Sequence, residues 1–157
     1  QAEGSWLAMA AVGLPSHIFR AAGIYGPGRS PLDQLRAGTA HLIDKPGQVF
    51  SRIHVDDLVA VLRASMARPR PGGVYNVCDD EPAPPAEVIK FAAGLLGVEP
   101  PSVESFDGAK LSDLARSFYA DNKRVRNDRI KSELGAILRY PDYRTGLNAI
   151  LAKETGG

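Results

Sequence analysis

The chain has 157 residues, enough for one domain with its own core. Its 19 basic and 18 acidic residues leave a formal net charge of +1, which removes the electrostatic case for a nucleic-acid or membrane partner. Its single cysteine, Cys78, excludes an internal disulfide framework and favours a reducing, cytoplasmic setting, and no apolar run is long enough to span a bilayer.

The sequence opens Gln1-Ala2-Glu3, with no methionine. Trp6, Leu7, Met9, Ala10 and Val12 fit a helix over residues 2–12 that lacks an evident N-cap, as though the chain starts inside a larger protein. Ser16 to Arg20 reads as a short strand and Gly23 to Pro31 as a turn-rich loop. Ser30 and Pro31 suit the cap and first position of a helix over Leu32 to Ala37. Residues 41–55 hold two extended pieces around Lys45-Pro46-Gly47, the second running from Phe50 to Val55. Asp56-Asp57 then opens a helix with Leu58, Val61, Leu62 and Met66 on one face, either aspartate serving as its cap.

Val74 to Val77 reads as a strand. Pro84-Pro85 precede a helix with Val88, Ile89, Ala92, Leu95 and Leu96 inward and Gly97 as its stop. After a proline-rich connection over residues 98–108, Leu111 to Tyr119 suits a helix and Lys123 to Arg126 an extended segment. Asn127 is placed to cap a short helix ending at Leu134-Gly135, and Asp142 to Lys153 forms the last helix. Alternating strands and helices give an α/β class, and the strands at 16–20 and 74–77 read as edge pieces of a larger parallel sheet.

Four segments in order carry a family resemblance. They are Phe19 to Gly28 (Phe-Arg-Ala-Ala-Gly-Ile-Tyr-Gly-Pro-Gly), Arg52 to Leu58 (Arg-Ile-His-Val-Asp-Asp-Leu), Gly73 to Val77 (Gly-Val-Tyr-Asn-Val), and Leu134-Gly135 with Tyr143-Arg144-Thr145-Gly146-Leu147. Together they resemble the C-terminal half of the extended short-chain dehydrogenases, the NAD-dependent epimerase/dehydratase group. The resemblance implies the C-terminal portion of a Rossmann-like NAD(P)-binding fold with a small substrate-binding subdomain. Within a single fragment over 1–157, residues 1–40 and 50–78 would complete the sheet, and 79–157 would lie mostly on the substrate side. The Gly-rich cofactor fingerprint and the catalytic Tyr-x-x-x-Lys pair would lie upstream of Gln1, so no catalytic residue is assigned.

The same resemblance implies that Ala21, Gly23 and Ile24 back the nicotinamide ring of NAD or NADP, with Tyr25, Arg29 and Arg52 closer to a small-molecule substrate. In open α/β sheets ligands lie beyond the C-terminal strand ends, where this loop should sit. The implied partners are the missing N-terminal half or a second copy of the chain. In the family's nucleotide-sugar enzymes an arginine stands shortly before the histidine; that position falls near Phe50 here, and the nearby arginine is Arg52. The chain thus resembles the atypical members with a Ser-Arg-Ile-His-Val-Asp-Asp pattern.

Two local motifs are set aside. Gly23-x-x-Gly26-x-Gly28, followed by Asp44, resembles a dinucleotide fingerprint, but Pro27 removes a backbone N–H where phosphate oxygens need donors. Tyr119-x-x-x-Lys123 is a literal copy of the catalytic pair but follows His54-Val55-Asp56-Asp57, whereas the family's pair precedes it. His54 reads as structural, the Lys123 to Arg126 run as a solvated face, and Cys78 as an unreactive thiol beside Asp79-Asp80-Glu81. His17, His41 and His54 lack metal-ligand spacing. Two functions compete: an epimerase/dehydratase-like oxidoreductase of which this is the substrate-facing half, and a non-catalytic dehydrogenase-like module for dimerisation or ligand binding.

Overall fold

The computed structural model describes residues 2–14 and 16–156. The elements run α1 (Ala2–Ala11), β1 (Ile18–Ala21), β2 (Gly23–Tyr25), α2 (Pro31–Arg36), β3 (Leu42–Asp44), β4 (Arg52–His54), α3 (Val55–Ala67), β5 (Val74–Val77), α4 (Pro85–Leu96), β6 (Val103–Ser105), α5 (Asp113–Ala120), α6 (Asp128–Ser132) and α7 (Tyr143–Thr155). The strands form three parallel pairs, β1 with β5, β2 with β4 and β3 with β6. Parallel pairing requires long crossovers, and α3 carries the chain from β4 to β5. The α/β class expected from the sequence is present.

Helix ends follow side-chain chemistry. Ser30 caps α2 in a reciprocal capping box with Asp33, with Pro31 in the first turn. Asp142 accepts from the Thr145 amide to cap α7. Gly97 ends α4 at φ +66°, the left-handed conformation that other residues rarely adopt.

Several expectations are corrected. Gly23 to Tyr25 is a strand rather than loop, because its backbone finds the partner β4. Only the turn after it is irregular. His54, not an aspartate, caps α3. On α3 the buried positions are Asp57, Val61 and Ser65, whereas Leu62 and Met66 are exposed. Lys123 to Arg126 forms no ladder, and Asn127 makes no side-chain cap because its amide is drawn to Cys78 and Asp80. β6 lay unnoticed in the proline-rich connection, where Val103 is mostly exposed and gives no alternation to read.

Three apolar clusters hold these pieces. The first joins Tyr25, Leu32, Ala83, Val88, Ala92, Tyr143, Leu147 and Ile150, tying β2 to α2, α4 and α7. The second joins Ile53, Val61, Tyr75, Val77, Ile130 and Leu134 beneath β4 and β5. A third, smaller one joins Ile43, Ala109 and Tyr119. Burial of such side chains contributes about 1.5–3 kcal/mol each. Among the described residues no helix is long and apolar enough to cross a membrane.

Candidate functional site

The parallel pairs β1–β5 and β2–β4 direct Ala21, Val77, Tyr25 and His54 to C-terminal strand ends. Ala21 is exposed there, and the next amide, that of Ala22, donates to Val77 O at 3.0 Å. Gly23 is also exposed, and a Cβ placed on it would meet only Ser51 O at 3.5 Å. This end of β1 therefore presents small residues with open space beside them. Ile24 is half-buried and packs on the second cluster. Arg29 is exposed across a tight turn in which Gly26 and Arg29 exchange backbone hydrogen bonds at 3.1 and 3.0 Å.

Tyr25 and Arg52 are held inward rather than standing free in a groove. Tyr25 is buried, its ring is edge-on to His54 at 5.2 Å, and its hydroxyl lies 3.5 Å from Asp142 O. Burial raises its pKa, and the nearby Asp79, Asp57 and Asp142 push the same way. Arg52 donates from Nη1 to the carbonyls of Phe50 and Ala83, at 2.8 and 3.1 Å. Burial lowers its pKa, opposed chiefly by Asp79.

Asp79 is the residue the sequence reading passed over. It is 1% exposed, two residues past β5, and its amide donates to Arg52 O at 2.6 Å. Neither carboxylate oxygen has a hydrogen-bond partner of normal geometry. Burial raises its carboxyl to about 7 despite the opposing Arg52 charge and the nearby amides of Glu81 and Arg52. These amides favour the anion electrostatically without closing good hydrogen bonds. A buried, perturbed carboxyl beside a charged partner at strand ends is a recognised sign of a functional site. Its only sequence signal was an acidic residue directly after an apolar strand.

His54 is 1% exposed and accepts from the Asp56 amide through Nδ1 at 3.1 Å, so any proton on the neutral ring sits on Nε2. Its ring lies 4.1 Å from that of Tyr140. Asp57, also 1% exposed, accepts from the amides of Arg139 and Tyr140 at 2.8 and 2.9 Å. The His-Val-Asp-Asp segment thus caps one helix and anchors a distant loop.

The motifs set aside remain so. The glycine segment does sit between a strand and a helix, but its turn amides are consumed by the Gly26–Arg29 exchange and by Asp33, which accepts from Ser30 N at 2.8 Å. Tyr119 is buried near the end of α5, whereas Lys123 lies beyond that helix, exposed and paired with Asp121. Cys78 is buried, and desolvation followed by Asp79 pushes its thiol up to about 12. Among the described residues no group of acidic, histidine or cysteine side chains is placed to hold a metal.

No protein-family model matches the chain. It is 33% identical over 128 residues to Protein YeeZ of Escherichia coli K12, covering 80% of this chain and 41% of that one. It is 32% identical over 140 residues to the 3-diazoavenalumate denitrifying reductase of a Streptomyces species, covering 83% and 45%. The chain therefore spans less than half the length of these relatives. Among solved structures, a conserved protein of unknown function from Silicibacter pomeroyi matches at 59% identity and a TM-score of 0.89, over 98% of this chain and 53% of that one. MoeE5, solved with UDP-glucuronic acid and NAD, matches at 26% identity and 0.75, over 99% and 54%. The dTDP-glucose 4,6-dehydratase of Bacillus anthracis, solved with NAD, has the same fold at 20% identity and 0.76, over 99% and 50%.

Proposed function

The chain has the fold of the C-terminal half of an extended short-chain dehydrogenase, of the NAD-dependent epimerase/dehydratase group, and from that premise we propose that it is the substrate-facing half of an NAD(P)-dependent oxidoreductase acting in the cytoplasm. The observation that carries this reading is the open end of β1, where Ala21 and Gly23 leave room at a C-terminal strand end. Ala21, Gly23 and Ile24 would back the nicotinamide, which supplies hydride transfer when bound. Tyr25, Arg29 and Arg52 would face the substrate side. Arg29 offers a free surface cation, and Arg52 fixes the Phe50 and Ala83 carbonyls.

The reading includes a partner, the dinucleotide-binding half of the same fold. Among the described residues β1 pairs with β5 alone, so its other edge is open. Trp6, Met9 and Leu14, beside that strand in sequence, are 56%, 46% and 42% exposed. Apolar surface next to an open strand edge suits a further strand and helix layer.

The same surface supports a second reading, a non-catalytic module that pairs with its own copy through this edge. Cofactor binding separates the two. The chain and the longest natural form containing it would be titrated with NADH and NADPH, following nicotinamide fluorescence. Binding that is lost in Ala21→Leu supports the oxidoreductase. Failure of the longest form to bind either dinucleotide, together with self-association of the chain in sedimentation, supports the module.

A further inference from the structure

A cleft of about 380 Å³ lies beside the exit of β5, lined by Asp79, Asp80, Arg124, Arg126, Asn127 and Lys131 among others. Most of its charged groups are already matched. Asp80 accepts from Asn127 at 2.7 Å and from Lys131 at 2.5 Å, and Arg126 pairs with Asp128 at 2.7 Å. Two groups are left over. Asp79 is 1% exposed with neither oxygen hydrogen-bonded, and the Arg124 side chain has no hydrogen-bond or ion-pair partner among the described residues.

Leaving a buried carboxylate without donors costs roughly 1–3 kcal/mol or more. Apolar packing would remove that cost, and Asp79→Asn would halve the problem. The surrounding structure instead fixes Asp79 through its backbone bond to Arg52 O, while the Arg52 guanidinium that could have paired with it donates to two carbonyls. An acceptor that is rigid, unpaired and set in a cleft wall is preorganised for a donor brought by a ligand.

We propose that this cleft binds a small zwitterion, whose ammonium group is taken by Asp79 and whose carboxylate is taken by Arg124. One negative and one positive group without partners are complementary to a ligand carrying one charge of each sign. The cleft's remaining charges cancel in pairs, so a ligand with net charge gains nothing from them. The site is separate from the open end of β1 and needs no dinucleotide, so its failure would leave the oxidoreductase reading standing.

The test is calorimetric titration of the chain, without dinucleotide, with glycine, β-alanine and 4-aminobutyrate, which space the two charges progressively. Butyrate and butylamine serve as single-charge controls. At least one zwitterion is expected to bind, and Asp79→Asn and Arg124→Ala are each expected to weaken it by about tenfold or more. Both variants remain folded on physical grounds, since the first removes a buried charge and the second changes an exposed side chain; circular dichroism checks this. The proposal is overturned if no zwitterion binds, if butyrate binds as well as the zwitterions, or if Asp79→Asn leaves binding unchanged.

Discussion

The phenol of Tyr25 fills the space that a side chain on Gly146 would need. A Cβ at 146 would stand 2.8 Å from Tyr25 Cζ and closer still to the hydroxyl. Gly146 lies in α7 and Tyr25 in β2, so this contact lets the helix close over the strand inside the first cluster.

Gly146→Ala therefore sets two effects against each other. Helix propensity favours alanine by about 1 kcal/mol, whereas overpacking a filled core costs roughly 1–3 kcal/mol or more. The clash involves a ring held in the core, so overpacking wins. A net loss of about 2 kcal/mol is expected in urea unfolding. In a Tyr25→Ala background the same substitution should become neutral or stabilising. Equal losses in both backgrounds would mean that the two residues do not compete for this volume.

Asp79 predicts an unusual pH dependence. Its folded-state carboxyl titrates near 7, above the ordinary value of 3.8, so the folded protein keeps a proton that the unfolded chain has released. Stability therefore falls as pH rises through that window, by a total on the order of 4 kcal/mol from this group. Asp79→Asn should be more stable than the parent at pH 8, with the gap closing toward pH 4. Denaturation midpoints of both proteins across that range are the check; a gap that does not change with pH removes the argument.

His54 acts in the opposite direction. Burial lowers its pKa below 6.5, outweighing Asp56 and Asp57, while Lys153 and Arg139 add to the lowering. The unfolded chain then gains a proton first, so stability is lost as pH falls below about 6.5. Protonation would also cost Nδ1 its role as acceptor for the Asp56 amide. His54→Asn keeps an acceptor at the helix cap and removes the titration. Its stability is expected to fall less steeply than the parent's between pH 7 and pH 5, as read by thermal melts in matched buffers.

Much of this architecture was legible in the residues. Ser30, Pro31, Gly97 and Asp142 mark helix ends through local chemistry, which depends little on distant contacts. The strand at Gly23 to Tyr25 was hidden because its glycine and the turn beside it obey loop preferences until β4 supplies a partner. The outward stripe of Leu62 and Met66 was misread because spacing identifies a face but does not say what covers it. Asp79 escaped for a similar reason. An aspartate after a strand is an ordinary turn residue, and its isolation arises from Arg52 and the 124–128 segment folding around it.

Asp57 shows the same dependence on distant sequence, and it supplies the sharpest structural test. Its two oxygens accept the amides of Arg139 and Tyr140, more than 80 residues later, and so hold the approach to α7 against α3. Removing the carboxylate leaves the buried Tyr140 amide without an acceptor. Asp57→Ala should cost about 3 kcal/mol, within the range for losing charge-assisted hydrogen bonds and stranding a buried donor. Asp57→Asn should recover only part of this, because its single carbonyl serves one amide while its NH₂ faces the other. Hydrogen exchange gives the site-resolved reading. Exchange at Tyr140 N should accelerate in both variants under conditions where the Val61 amide, in the middle of α3, stays protected. Uniform acceleration of both amides would show that Asp57 contributes to global stability without clamping this loop.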